Sequence, residues 1–193
     1  MAAPASKTVF NMTGVWQINR ALSDDIDQMF ALQGISWLLR KLLAFTTVRL
    51  SMKHRNQDPD GSGPHTNEEK PPISTIRVKQ TVTPGNFNSE DTYILDSVAR
   101  EHTVPIFGRI SVQAEYSSIS SIPDAEVLVS TQESGSQTVI LDRVKSLGNV
   151  WSTSSVWGFG EIGGKRYHTR HSVTKKGDKE LRLRIVYDFV REL

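Results

Sequence analysis

The spacing of apolar residues along this chain changes twice. Between residues 24 and 44 it is helical. Ile26, Met29 and Phe30 form one face over 24–31, and Ile35, Leu38, Leu39, Leu42 and Leu43 follow at i, i+3, i+4, i+7 and i+8. Ser23 is placed to cap the first helix, Asp24 and Asp25 sit in its first turn, and Gly34 breaks the run before the second helix, which ends near 44. Elsewhere the period is two. A first strand is predicted over 13–19, and others over 46–54, 73–83, 90–98, 107–117, 125–132, 137–145, 149–159, 165–174 and 180–190.

Turn residues join these segments: Pro84-Gly85-Asn86, Ser134-Gly135-Ser136, Gly148-Asn149, Gly163-Gly164 and Gly177-Asp178. About ten strands joined mostly by hairpins imply an antiparallel up-and-down meander. Closing it into a barrel removes the exposed edges, and a barrel of that size can hold a small ligand. A helix pair after the first strand then lies across one end, with the five-residue apolar face of the second helix packed over it.

Composition narrows the class without changing the fold. The 193 residues suit one domain, residues 10–193, with 1–9 read as a loose tail and the polar, Pro- and Gly-rich 55–72 as a flexible loop insertion. The net charge is +2, and no Lys/Arg run is interleaved with aromatics, so nucleic-acid binding is not expected. There is no cysteine, which excludes disulfides, thiol catalysis and thiolate metal sites. No segment approaches the roughly 18 apolar residues of a membrane span, and the N-terminus lacks the apolar stretch of a secretion signal. A cytoplasmic location is the expectation. GxSxG, HExxH and GxxxxGK[ST] are absent, and the glycines at 158, 160, 163 and 164 belong to a hairpin more readily than to a phosphate loop.

Two sets of residues carry a resemblance. Gly14-Val15-Trp16 on the first strand resembles the G-x-W signature of the calycins, and the helix pair that follows is similar to the fatty-acid-binding protein arrangement. "LSDDID", "LQGISWLLRK", "ILDSVAREH", "FGRI", "VWGFGEIGGKRYHTRHSV" and "LRIVYDF" together resemble fungal lipocalin-like hetero-Diels–Alderases of tropolonic sesquiterpenoid biosynthesis. That resemblance implies a calycin-like barrel and a reaction between a tropolone o-quinone methide and a humulene-type alkene, with no metal or organic cofactor. The expected partners are these small hydrophobic substrates, a tropolone and a macrocyclic terpene; homodimerisation is left open. The alternative is a non-catalytic intracellular carrier of a lipophilic small molecule.

Alternation sorts the candidate site residues by face. Trp151, Thr153, Ser155, Trp157 and Phe159 share one face of their strand; Leu183, Ile185, Tyr187 and Phe189 share one face of theirs. The aromatics among them are either core or cavity wall, where flat rings suit an aromatic ligand. His168 and Arg170 point one way and His171 the other, so a regular strand here sends a histidine inward in either case. A neutral imidazole or a guanidinium beside a tropolone's oxygens would polarise it and assist loss of water. His168, Arg170, His171 and Tyr187 are therefore the candidate catalytic residues.

Gln33, Trp37, Gln80, Tyr93, Trp151, Trp157 and Arg184 are the candidate substrate-binding residues. Gln33 and Trp37 lie off the main helical face, and Gln80 shares a strand face with Ile76, Val78 and Val82. Arg182 or Arg184 is also placed like the basic residue that calycins pack on the first-strand tryptophan, here Trp16, as a cation–π lock. The Arg-x-Tyr of fatty-acid carriers is not matched by Arg184-Ile-Val-Tyr187. His102 is expected in a loop at the barrel rim, a position from which a histidine can enter a site. Two substrates side by side require a cavity large enough for both, with polar groups gathered at one end.

Overall fold

The computed structural model describes residues 1–57, 73–85, 87–122 and 137–193. Ten antiparallel strands form one sheet curled into a nearly closed barrel. They are β1 Gly14–Ile18, β2 Thr47–Gln57, β3 Ile73–Thr83, β4 Ser89–Ile94, β5 Arg100–Val104, β6 Gly108–Ser118, β7 Thr138–Ser146, β8 Trp151–Ile162, β9 Lys165–Lys176 and β10 Lys179–Arg191. Helices α1 Asp27–Leu32 and α2 Trp37–Ala44 lie between β1 and β2. The sheet order is β4-β3-β2-β1-β10-β9-β8-β7-β6-β5, so the meander runs up and down as expected and leaves β4 and β5 as its two edges. The seam between them is closed lower down, where Leu95 bridges to Ala114 and the Ser97 amide donates to the Ala114 carbonyl at 3.0 Å.

Several elements differ from the pattern-based expectation. β2 runs through Gln57, three residues into the expected loop; the rest of that loop, and the expected strand 125–132, lie outside the described residues. The segment expected as one strand over 90–98 ends at Ile94, and β5, "REHTV", was not expected because its alternation is too polar and too short to register. His102 is thus a strand residue rather than a loop residue.

Ser23 does not cap α1. Its hydroxyl donates to the Asn19 carbonyl and accepts from the Val186 amide at 2.9 Å, while Asp24 accepts from the Arg184 amide at 2.6 Å. The start of the helical excursion is stapled to β10 instead, and α1 begins after Ile26 with no side-chain cap. Ser36 does cap α2, accepting from the Leu39 amide, and Gly34 takes the positive φ of +89° that lets the two helices turn against each other.

The apolar stripe of α2 is narrower than predicted. Ile35 and Leu43 are buried and Leu39 is half-buried, whereas Leu38 and Leu42 remain 64% and 53% exposed. A short helix lying over a barrel mouth touches it along one line, here Leu39 and Leu43 with Ile35 just before the helix, and not across the full face.

The expected loose tail is also corrected. Ala3, Lys7, Val9 and Met12 are buried, the Ala3 amide donates to the Arg166 carbonyl at 2.7 Å, and Arg166 donates back to the Pro4 carbonyl at 2.9 Å. The N-terminal segment plugs the barrel end opposite the helices. Lys7 sits over the Phe189 ring and reaches Glu192 at 2.7 Å, so its stem is buried while its ammonium is paired.

Just above that plug, Trp16, Phe159, Phe189, Trp157, Tyr187 and His168 form an aromatic layer. Trp16 packs edge-on against Phe159, His168 and Phe189, and its indole N–H donates to the Met12 carbonyl at 2.9 Å. The predicted lock of Trp16 by Arg182 or Arg184 is not formed. Arg182 pairs with Glu180 at 2.7 Å and Arg184 donates to the Leu22 carbonyl at 3.2 Å, because their register places them on the outer face of β10. The lower half of the barrel is therefore solid core, and the space lies above it, beneath the helices.

Candidate active site

That space is a cavity of about 240 Å³. Met29 and Phe30 of α1, its flanking residues Ile26 and Gln33, and Leu43 of α2 roof it, so the α1 segment supplies most of the lid. Its walls are the inward faces of the strands: Ile18, Val48 and Val82 on one side, and Val104, Ile110, Val112 and Val144 on the other. Trp151 closes one side, edge-on to Phe107, which in turn meets Phe30 of the lid. These apolar walls favour a lipophilic ligand.

Three polar stations interrupt them. The deepest centres on Arg170 of β9 and Asp142 of β7, which the register brings together across β8: Asp142 pairs with Ser155, and Trp157 pairs with Arg170. Arg170 Nη2 donates to both Asp142 oxygens, at 3.1 and 3.0 Å, and Trp157 Nε1 donates to the same carboxylate. The guanidinium lies 4.8 Å over the Trp157 ring. Burial works against charge on Arg170, but the Asp142 carboxylate reverses that and holds its pKa above the usual value. Burial pushes the Asp142 carboxyl up, opposed by Arg170 and the Trp157 indole. With the guanidinium held charged and three donor contacts on the carboxylate, the arrangement is an ion pair.

Arg170 keeps 22% of its side chain exposed, toward the cavity, and its Nε has no hydrogen-bond partner among the described residues. Tyr93 and Tyr187 flank it, and burial raises both phenol pKa values, so each hydroxyl stays protonated and able to donate.

The second station lies under the lid. Gln33 donates to Thr153 Oγ1 at 3.3 Å, and Thr153 meets Thr174 at 2.9 Å. Gln33 Oε1 and the Trp151 indole nitrogen are buried without partners among the described residues. Buried polar atoms are normally satisfied, so an unpaired acceptor and two unpaired donors on cavity-lining residues mark groups for a ligand to meet. The third station is at the seam, where His102 Nε2 meets Asp91 Oδ1 at 3.2 Å.

Of the residues singled out from the sequence, the structure brings Arg170, Tyr187, Tyr93, Gln33, Gln80 and Trp151 to this cavity. Trp157 lies beneath it as the platform for Arg170. His168 is also beneath, buried in the aromatic layer: it stacks on Tyr187 at 4.8 Å, and Nδ1 lies 2.9 Å from the Gly158 carbonyl. Burial lowers its pKa to about 4, so it is neutral at pH 7 and positions Tyr187 from below.

His171, Arg184 and Trp37 stand apart. His171 and Arg184 are cross-strand partners on the outer face, because the β9 and β10 pleats send His168, Arg170, Ile185 and Tyr187 inward. Trp37 is 63% exposed on the outer side of α2 and does not line the cavity. The polar groups are not gathered at one end but spread over floor, lid and seam.

Asp142 and Asp91 were not foreseen, Ser155 was placed only by the face it shares with Trp151 and Trp157, and His102 only as a rim histidine able to enter a site. Asp142 was detectable as a lone acid in the apolar run Val139-Ile140-Leu141-Asp142, which a buried strand tolerates only with a partner. No comparable signal marks Asp91 and His102, whose meeting depends on barrel closure.

An antiparallel barrel with a helix pair after the first strand defines the class: this is a fatty-acid-binding-protein-like barrel. Over 94% of this chain it superposes on the REP1-NXSQ fatty acid transporter, covering 98% of that chain, with a TM-score of 0.53 and 13% identity. Fatty-acid-binding protein 1 of Echinococcus granulosus matches over 93% of this chain and 97% of its own, with a TM-score of 0.51 and 12% identity. These likenesses show the fold.

No protein-family model matches the chain. Curated relatives do: the probable pericyclase scpY of Mollisia scopiformis is 33% identical over 192 residues, 98% of this chain and 95% of that protein. Pericyclase pydY of an Acremonium species is 29% identical over 191 residues, 98% of this chain and 97% of that protein. The chain belongs to this pericyclase family.

Proposed function

We propose that the chain is itself a pericyclase, working without a cofactor, and that its cavity joins a tropolone o-quinone methide to a humulene-type alkene in a hetero-Diels–Alder reaction. The observation that carries this reading is Arg170, held charged by Asp142 at the floor of an otherwise apolar cavity. A concerted cycloaddition needs no nucleophile. It gains from holding the reacting π-systems in near-attack geometry and from donors that draw electron density out of one of them. A carbonyl seated at Arg170, with Tyr93 and Tyr187 beside it, is polarised in that way. The lid residues Met29 and Phe30 supply the apolar surface against which an alkene is folded.

The test is to mix the purified protein with a hydroxymethyl tropolone and humulenol. A single stereoisomer of the adduct, formed faster than without protein, is expected; an unchanged rate and product mixture overturns the reading. A lipophilic carrier would retain one ligand in native mass spectrometry and turn over no pair.

One observation favours a second reading. The cavity, at about 240 Å³, lies below the roughly 300–1,000 Å³ usual for drug-sized ligands, and encloses one substrate more readily than two. Intramolecular closure of a single polyene uses the same donor and the same walls. Turnover of a polyene carrying its own alkene partner, with no reaction of the tropolone pair, selects it.

A further inference from the structure

Two serines stand on the cavity wall where Val112 and Val144 show that apolar side chains also fit. The register sets Asp142, Ser155 and Ser172 in one row across β7, β8 and β9, all facing inward. Arg170 reaches the carboxylate from the row below, where it pairs with Trp157. Ser172 Oγ donates to Ser155 Oγ at 3.0 Å, and the Ser155 hydroxyl bonds the Asp142 carboxylate. Ser155 is fully buried; Ser172 is 3% exposed and lines the cavity.

The chain has a fixed direction. A carboxylate in an ion pair only accepts, so the one Ser155 proton goes to Asp142. Ser155 then takes the one Ser172 proton. Ser172 Oγ is left with lone pairs and no proton to give, and no donor reaches it among the described residues. Hydrogen bonds in a chain polarise one another, which makes Ser172 Oγ the stronger acceptor. The Thr153–Thr174 pair above it has no such anchor for its direction. Asp142 already has Arg170 and Trp157 as partners, so the serines are surplus to holding the ion pair.

We infer that Ser172, its proton held by Ser155, is a specificity-determining residue that accepts a hydroxyl hydrogen from the substrate seated at Arg170. This rests on the reading of the chain as a pericyclase. Three hydrogen bonds connect Ser172 to Arg170, so the two groups stand within about 9 Å, the reach of one substituted ring. The ligand class is a ring that carries a carbonyl and a neutral hydroxyl; the guanidinium repels a cationic donor. The two contacts have opposite polarity. Turning the ring around sets its O–H against the Arg170 N–H groups and its carbonyl against the Ser172 lone pairs. Both mismatches leave buried groups unpaired, so one orientation is kept, and with it the face that meets the second reactant.

The first test is the binding of meta-hydroxybenzaldehyde and meta-methoxybenzaldehyde, the second of which has a methyl in place of the hydroxyl hydrogen. Both are neutral at pH 7. Calorimetry on wild type is expected to give about tenfold tighter binding of the hydroxyl compound, falling to about twofold in Ser172→Ala. Ser155→Ala frees the Ser172 proton to turn toward an ether oxygen, so its ratio is expected to fall between those two. A wild-type ratio near one overturns the inference and requires no variant to fold. A ratio that Ser172→Ala leaves unchanged does the same, since a merely structural serine weakens both ligands alike. Ser155→Ala keeps the shape at Ser172, so a wild-type ratio in that protein reduces the effect to ligand size and also overturns the inference.

The second test is turnover of the hydroxymethyl tropolone and humulenol pair. Ser172→Ala is expected to close the ring about tenfold more slowly and to release a second stereoisomer beside the first. A Ser172→Ala protein that still yields one stereoisomer overturns the orienting role. Wild-type protein that prefers the hydroxyl compound yet joins no pair leaves the Ser172 contact standing and overturns the pericyclase reading. Wild-type protein that joins the pair but binds both benzaldehydes alike does the reverse.

Discussion

Gly14 and His168 show how single residues set up the space above them. Gly14 has a φ of +148°, and a Cβ built on it would stand 2.7 Å from the Phe189 ring. The glycine of the G-x-W segment is therefore where the Phe189 ring closes on the backbone of β1, which seats the ring edge-on to Trp16 at 5.1 Å. Gly14→Ala is expected to destabilise the protein by about 1–3 kcal/mol through overpacking, read as a lower denaturant midpoint.

His168 has a folded pKa of about 4, depressed by burial from its ordinary 6.5. A depressed histidine favours the neutral form when folded, so its contribution is complete above the unfolded pKa and is lost as pH falls from 6.5 toward 4. At pH 5 the loss is on the order of 2 kcal/mol. Thermal melts at pH 7.5 and pH 5 should show a larger drop for wild type than for His168→Gln. Strand alternation made the pairing of faces legible at this scale: it grouped His168 with Arg170 and separated His171. It could not assign the inward face, since both faces of β9 carry buried residues, His168 and Thr174 on one and Tyr167 and Thr169 on the other.

Among the elements, the helices were legible in existence and order, but not in which of their residues reach the barrel. Periodicity counts apolar positions on a face; contact depends on how much of that face the neighbouring surface can touch. α2 meets the barrel along Leu39 and Leu43, with Ile35 just before it, and the α1 segment, with the weaker pattern, supplies most of the lid. Leu43→Ala is accordingly expected to cost about 2–5 kcal/mol. Leu38→Gln and Leu42→Gln should each stay within about 0.5 kcal/mol of wild type, measured by urea unfolding. Equal effects at the three positions would contradict the observed packing. The N-terminal segment misled in the opposite sense: its Ala, Pro and Ser content lacks periodicity, and residues far away in sequence, among them Arg166, Asp188, Phe189 and Glu192, give it a place to bind.

At the scale of the whole molecule, the meander and its closure followed from strand count and hairpin turns, whereas the composition of the site did not. Arg170 was visible as a charged residue in a strand, but its meaning comes from Asp142, 28 residues away and two strands over. His102 and Asp91 lie on opposite edges of the sheet and meet only because the barrel curls. Strand register across β8 thus produces the guanidinium at the floor, and barrel closure the imidazole at the seam, on walls that are mostly apolar.

The central claim is that this cavity accelerates a reaction through Arg170 and does more than retain a ligand. The most direct measurement is the rate of ring closure and the affinity for product, taken side by side for wild type and Arg170→Lys. The lysine keeps the positive charge but loses the planar guanidinium that bonds both Asp142 oxygens. The account predicts a loss of about 10²–10³-fold in rate, with product affinity changed by less than about tenfold. An Arg170→Lys protein that keeps the wild-type rate and stereochemical outcome, or loses affinity and rate in equal measure, would contradict it.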